Sequence, residues 1–395
     1  MNLFIVHQFP DYDNFVPIIV NLKKKTNLNF AIMNIFPVHD LKYYGFNALL
    51  KKYKIEFIDV FNLNKKSIFI NFLLKLLKIM PKGIIEKLNS IWYYFYHKYT
   101  LFNKKHLVIL INKRKIKSIN IDESLPEGYK QILFAACKET KIKFNCYRIG
   151  IEMRQNIELK IDDYNLFDNI IIQDENLNIE NPKENKKNFI RIENLRYSLD
   201  WLNEVENSYR YKLKEYSLNL TKEKTKILLV TRPMFSNKSW KIISDELRRI
   251  NNIELRIKFK PRGQFRPLHV QENIINEYNT SELVNWADIV VSHSTSILIE
   301  ALIKDKKILF LNFLFKLEGK EEIKYIFENQ NIVEYMNSQE ELINRIEYLK
   351  KNKFNYESYE KYKESKKNFL QQNLGDNFFS KSNNLKKEFI DIYQD

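Results

Sequence analysis

The sequence predicts an α/β protein in two halves, each built on a mostly parallel sheet. Continuous apolar runs of strand length alternate with stretches of helical spacing, as a parallel sheet covered on both faces demands. The alternation runs to about residue 150, weakens between 151 and 224, and starts again at TKILLVTRP. With 395 residues, 44% of them hydrophobic, the chain has room for two cores.

Element by element, NLFIVHQF (2–9) reads as the opening strand, followed by the polar turn DYDN and a helix into NLKKK. NFAIMNIFP (29–37) and IEFIDVF (55–61) read as the next strands, with LKYYGFNALLKKYK at helical spacing between them. HLVILIN (106–112) reads as a fourth strand and KIKFNCYRIG (141–150) as a later one. DNIIIQDENL and NFIRIENL read as two short strands, and SLDWLNEVENSYRYKLKEY as a connecting helix. A boundary near Leu220 to Lys226 divides the chain into 1–220, 221–351 and a helical tail, 352–395. The second half carries TKILLVTRP, SWKIISDELRRI, IELRIKFKP and the stretch WADIVVSHSTSILIEALIKDKKILFLNF (286–313).

Seven Gly and nine Pro exclude collagen-like and low-complexity classes. Cys137 and Cys146 make no disulfide framework and no zinc spacing, and the stretch after Met1 reads as a strand rather than a cleavable leader. A reducing, cytoplasmic setting is the expectation. The formal net charge of +16 points to nucleic acid, an anionic membrane surface or phosphorylated substrates, or to a lysine-rich solvated surface. No 18-residue stretch is free of charge, so no membrane-spanning helix is expected. The segment 67–102 is apolar with scattered lysines. It reads either as an amphipathic helix in a membrane interface, or as a segment that packs over the first sheet or forms the mouth of an acceptor cleft.

The corner at Ser292-His293-Ser294-Thr295-Ser296 lies between a strand and an apolar helix. Ligands of open α/β sheets bind beyond the carboxyl ends of the strands, where helices present free N–H groups. Hydroxyls there can hold a phosphate and cap the helix at once. Glu300, about one turn in, suits the paired hydroxyls of a ribose. Two more strand ends carry cations: Thr231 and Arg232 after KILLV, and Lys258, Lys260 and Arg262 after IELRI. Together they suit a diphosphate.

KPRGQ (260–264), WADIVVSHSTSILIEAL (286–302) and KKILFLNF (306–313) together resemble the C-terminal half of GT-B glycosyltransferases. The resemblance is closest to enzymes of bacterial capsule, lipopolysaccharide and surface carbohydrate biosynthesis. It covers about 90 residues and is shared by UDP-sugar epimerases and glycerophosphotransferases. It implies two Rossmann-like domains with an interdomain cleft, the second holding a nucleotide-activated sugar and the first a glycan or lipid-linked acceptor. The chain departs from the pattern at Arg262-Gly263, where His-Pro is usual, at Asp305-Lys306, where a glycine is usual, and at Ile149-Gly150, where His-Gly is usual. The resemblance assigns the donor to Ser292, His293, Ser294, Thr295, Ser296, Arg232 and Lys260, with Glu300 on the ribose.

An inverting transfer also needs a base on the acceptor side. Asp122 or Glu123 in INIDESLPEG is favoured, with Glu152 behind. His7 and Asp11 after the first strand, and Arg148, are further cleft residues. There is no GxxxxGK[ST], GxGxxG, HExxH or GxSxG pattern. No DxD pair stands at a strand end, DYD at 11–13 being the nearest, which favours donor binding with no metal and no separate cofactor. Docking on the inner membrane face fits the charge. The rival readings are glycerophosphate transfer or sugar epimerisation on the same fold, a nucleic-acid-binding protein, and a non-catalytic relative that only binds sugar nucleotide.

Overall fold

A computed structural model describes residues 1–7, 9–35, 46–59, 103–148, 150, 153–155, 158–159, 164–173, 178–179, 188–213, 224–232, 234–259, 280–293, 295–328, 330–352, 356–375 and 385–394. The first half runs β1 (Asn2–Val6), α1 (Phe9–Lys25), β2 (Phe30–Asn34), α2 (Phe46–Lys52), β3 (Glu56–Asp59), α3 (Lys104–Arg114), β4 (Ser118–Asp122), α4 (Glu127–Thr140) and β5 (Lys143–Arg148). Short strands follow: β6 (Glu158–Leu159), β7 (Asn169–Ile172), β8 (Asn178–Ile179) and β9 (Asn188–Arg191). A 3-10 turn (Leu195–Tyr197) then leads into α5 (Leu199–Leu213). The second half runs β10 (Thr225–Thr231), α6 (Asn237–Arg248), β11 (Ile253–Phe259), α7 (Thr280–Trp286), β12 (Ile289–Ser292), α8 (Ile297–Ile303) and β13 (Lys307–Leu311). It closes with α9 (Leu314–Leu317), β14 (Glu334–Met336), α10 (Gln339–Lys351), α11 (Tyr356–Leu374) and α12 (Lys387–Gln394).

Seven strands form one sheet in the order β3-β2-β1-β4-β5-β7-β9, and five form another in the order β11-β10-β12-β13-β14. Every pairing in both is parallel. The expected α/β architecture of two parallel sheets is therefore what the chain forms. No helix among the described residues is long and apolar enough to cross a membrane. The segment 67–102 lies outside the described residues.

One assignment is corrected. HLVILIN is not a strand but most of α3, capped by Asn103, whose side chain accepts from His106 N. A short apolar run has no period of its own, so it does not separate strand from helix. Leu107 and Ile111, one turn apart, are buried while Ile109 is exposed, which is a helical pattern. The strand beside β1 is instead the polar SINID.

Its polarity has a cause. One face of the first sheet packs Leu3, Ile5, Ile119 and Ile121 against Leu107 and Leu133 of α3 and α4. The other face carries a ladder. Ser118 Oγ donates to Asn2 Oδ1 (2.9 Å), Asn120 Nδ2 to Ser118 Oγ (3.1 Å), Asn145 Nδ2 to Asn120 Oδ1 (2.9 Å), and Asn169 Nδ2 to Asn145 Oδ1 (2.8 Å). Register places Asn120, Asn145 and Asn169 side by side, so each amide finds its partner across the strands. Tyr393 of the last helix donates to Asn120 Oδ1 (3.2 Å) and meets the Tyr147 hydroxyl. With Phe389 and Ile392 it packs among Phe4, Phe15 and Tyr147. The preceding α11 packs Phe369, Leu370 and Leu374 into the core of the second half. Leu195 lies in the first core and Tyr197, two residues on, in the second.

Candidate functional site

In a doubly wound sheet, ligands bind at the carboxyl edge where the strand order reverses. The first sheet reverses between β1 and β4, and the second between β10 and β12. Polar side chains gather at both points.

At the first, His7 follows β1 and Asp11 lies in the first turn of α1. The His7 backbone N–H donates to Asp11 Oδ2 (2.9 Å), and His7 Nδ1 lies 2.7 Å from the same oxygen. Asp11 is fully buried. Asp122 closes β4 next door, also buried, and its Oδ1 accepts from Ser124 N (2.9 Å) and from the Ser124 hydroxyl. Burial first, and then the charge of Asp11, push the Asp122 carboxyl up to about 7, against the opposing Ser124 hydrogen bonds. Three titratable groups thus meet at one strand crossing, two of them competing for negative charge.

Glu123 does not join them. Its Oε2 accepts from Tyr164 OH (2.6 Å) and from Arg148 Nη1 (3.3 Å). A carboxylate whose oxygen is taken by a phenol and a guanidinium serves as an anchor. Glu123 therefore holds Arg148 in this structure. Glu152 lies outside the described residues. The sequence reading missed two buried amides on the same edge. Gln173 after β7 and Asn194 after β9 are 1% and 2% exposed, and among the described residues the oxygen and nitrogen of each amide find no hydrogen-bond partner. Only their place just past a strand end could have flagged them.

At the second point the hydroxyl corner divides. The Ser292 hydroxyl donates to Val230 O (2.7 Å), tying β12 to β10, and is fully buried. His293 is fully buried as well, with ring centroids 4.6 Å from Phe235, 4.8 Å from Phe310, 4.8 Å from Phe315 and 5.3 Å from Tyr325. Among the described residues, neither ring nitrogen has a hydrogen-bond partner. Burial, helped by the nearby Arg232 charge, pushes the imidazole down to about 3, so it is neutral at physiological pH. Ser292 and His293 therefore do not present side chains to a donor, contrary to the expectation. One hydroxyl is spent between strands and the imidazole sits in an aromatic cage.

Ser296 stands at the start of the seven-residue α8 but makes no capping hydrogen bond, because its backbone is already helical (φ −59°, ψ −14°). Its carbonyl accepts from Tyr197 OH (3.2 Å). Thr295 is buried, and its carbonyl accepts from Leu298 N (3.0 Å). Glu300 is 8% exposed and lies 3.0 Å from Lys304 Nζ, which is also 3.0 Å from Glu206 of α5. Arg232 follows β10, its carbonyl fixed by Trp240 Nε1 (2.9 Å). Lys258, near the end of β11, is buried, and burial pushes its amine down to about 8 against the pull of Glu282. Lys260, Arg262 and Ser294 lie outside the described residues.

Contacts join the halves around these points. Ile326 N donates to Met153 O (3.0 Å), and Gln155 Nε2 to Tyr325 O (2.8 Å), so the segment after β5 pairs with the residue that closes the His293 cage. Within the first half, Arg196 lies 3.1 Å from Asp13 of α1.

No protein-family model matches the chain, and no curated protein matches it in sequence. Solved structures do resemble it. The wall teichoic acid polymerase TagF, in a crystal soaked with CDPG, superposes with a TM-score of 0.53 at 12% identity, covering 100% of this chain and 88% of that one. The UDP-GlcNAc 2-epimerase from Neisseria meningitidis, bound to UDP-GlcNAc, gives 0.51 at 14% identity over 92% of this chain and 93% of that one. The Methanocaldococcus jannaschii UDP-GlcNAc 2-epimerase, in complex with UDP-GlcNAc and UDP, gives 0.50 at 14% over 90% and 94%. With strand orders that reverse once in each sheet, this likeness identifies the fold: the chain is two Rossmann-like α/β domains in the GT-B arrangement.

Proposed function

We propose that the chain is a nucleotide-sugar-dependent glycosyltransferase that moves a sugar to a glycan or lipid-linked acceptor in bacterial surface polysaccharide or lipopolysaccharide assembly. The observation that carries this reading is the division of labour between the two reversal points. One holds proton-exchanging groups and the other holds hydroxyls and cations.

Thr295, Ser296 and Ser294 hold the donor phosphates, Arg232, Lys258 and Lys260 neutralise them without a metal, and Glu300 takes the ribose hydroxyls. On the acceptor side Asp11 holds Nδ1–H of His7, which leaves Nε2 to take a proton. As the acceptor O–H gives its proton to His7, the oxygen forms a bond to the anomeric carbon. The bond from that carbon to the phosphate breaks, and the nucleotide leaves with the electron pair. Asp122, beside Asp11, tunes the charge this pair carries. Gln173 and Asn194 offer amides for acceptor hydroxyls. A lipid-carried acceptor would bring the enzyme to an anionic membrane face, which the net charge of +16 suits.

The test is a thermal-shift screen against UDP, CMP, CDP, GDP and their sugar conjugates, run beside Glu300→Ala. A ligand that binds only the folded state adds about 4 kcal/mol at a thousandfold excess over its Kd. A shift with one base, lost in the variant, is the expected result, and no shift with any nucleotide sinks the reading. Incubation with the sugar nucleotide alone then separates the nearest rival, since an epimerised donor formed without acceptor would replace transfer by epimerisation.

A further inference from the structure

Helices α1 to α4 of the first half return to the amino edge of its sheet, the edge opposite the reversal points. There β2, β1, β4 and β5 start in register at Phe30, Asn2, Ser118 and Lys143. Three turns on this edge place a lysine in the left-handed region: Lys54 after α2 (φ 52°), Lys115 after α3 (φ 50°) and Lys141 after α4 (φ 56°). Glycine adopts that conformation at least cost, and Asn or Asp come next. The second half meets the same turn with Asn252 before β11 (φ 60°) and Asp305 before β13 (φ 54°). One chain therefore takes lysine at this position in one domain and Asn or Asp in the other, so general lysine richness does not account for it. Cations also complement helix C-termini, but that would be served by the last helical turn without a lysine at positive φ. The three lysines are exposed, and among the described residues none has a carboxylate within ion-pair distance.

We propose that this lysine rim docks the protein on an anionic lipid bilayer. Lysine is a hydrated point charge on a flexible stem, which suits headgroups without fixed positions. Duplex recognition draws on arginine and an element shaped to a groove, and the rim's Arg114 is already paired with Glu56. Five-residue strands separate the rim from the reversal points by about 17 Å. Docking by this edge holds the cleft clear of the headgroups, so the acceptor must extend outward from the bilayer.

The test measures partitioning of the full chain onto phosphatidylglycerol-rich vesicles and onto pure phosphatidylcholine. Wild type is compared with a rim variant, Lys54→Asn, Lys115→Asn and Lys141→Asn, which keeps residues suited to positive φ. A second variant, Lys238→Gln, Lys241→Gln and Lys367→Gln, removes the same charge from exposed sites of the C-terminal part of the chain. Thermal unfolding checks that all three fold. Wild type should bind only the anionic vesicles and release with salt. The rim variant should bind about a hundredfold more weakly, at about fivefold per surface lysine, while the second variant keeps most of its binding. The proposal is overturned by no binding of wild type, by equal loss in both variants, or by duplex DNA binding at the same salt that the rim variant loses in step. Nucleotide-induced shifts should match in all three proteins, so failure here leaves the transferase reading standing, and its failure leaves this one.

Discussion

The two reversal points are built alike and charged in opposite ways. At the first, burial and the neighbouring Asp11 raise the carboxyl of Asp122 toward neutrality beside a histidine–aspartate pair. At the second, the histidine is enclosed by four aromatic rings and held neutral. The first corner holds a carboxyl that exchanges its proton near pH 7, whereas the imidazole of the second stays neutral there. A transferase needs that asymmetry: the acceptor must lose a proton, whereas a donor phosphate is best met by cations and hydrogen-bond donors.

The largest effect that would break this comparison comes from His7. His7→Gln keeps a hydrogen-bonding side chain beside Asp11 but removes the base. We expect kcat for transfer to fall about 10²–10⁴-fold, with the nucleotide thermal shift unchanged. Equal loss of nucleotide binding would mean that the first corner does not act on the acceptor alone.

A smaller effect separates the corners by pH. The Asp122 carboxyl is raised in the folded state, to about 7 from 3.8. Between those values the native protein holds a proton that the unfolded chain has lost, so stability falls as pH rises through this window. Asp122→Asn removes that dependence. The variant should be more stable than wild type by about 1–3 kcal/mol at pH 8, with the difference closing by pH 4. Urea unfolding across that range is the measurement, and a constant difference would mean that Asp122 is not held against its charge.

Much of this was legible in the sequence, because a parallel sheet announces itself by apolar runs that stop where a polar corner begins. The strands at Asn2–Val6, Thr225–Thr231 and Ile289–Ser292, and the corners beyond them, follow from that rule. What fails is any step that needs a neighbour distant in the chain. Ser118–Asp122 looks too polar for a central strand until register sets Asn120 beside Asn145 and Asn169. Lys104–Arg114 looks like a strand because its outer face carries Ile109 as well as charges. His293 looks like a ligand because Phe235, Phe310, Phe315 and Tyr325 come from four places along the chain. The His7–Asp11 spacing was visible, but the shared oxygen is made by the turn from strand to helix.

The smallest expected effect at neutral pH sharpens the comparison from the second corner. His293→Phe replaces an imidazole with two unpartnered nitrogens by a ring suited to an aromatic cage. Removing unsatisfied buried polar groups should stabilise the fold by about 1–2 kcal/mol at pH 7.5. The sign of the pH dependence is opposite to that of Asp122. The folded-state value is depressed to about 3 from 6.5, so below pH 6.5 the unfolded chain takes up a proton that the native protein refuses. Wild type therefore loses stability as pH falls through that window, and the advantage of the variant should widen by about 1.4 kcal/mol per pH unit. Nucleotide shifts should be the same in both proteins. If His293→Phe is stable but no longer shifted by a nucleotide that shifts wild type, the imidazole turns out of its cage to meet the donor, and the second corner is less inert than its packing makes it.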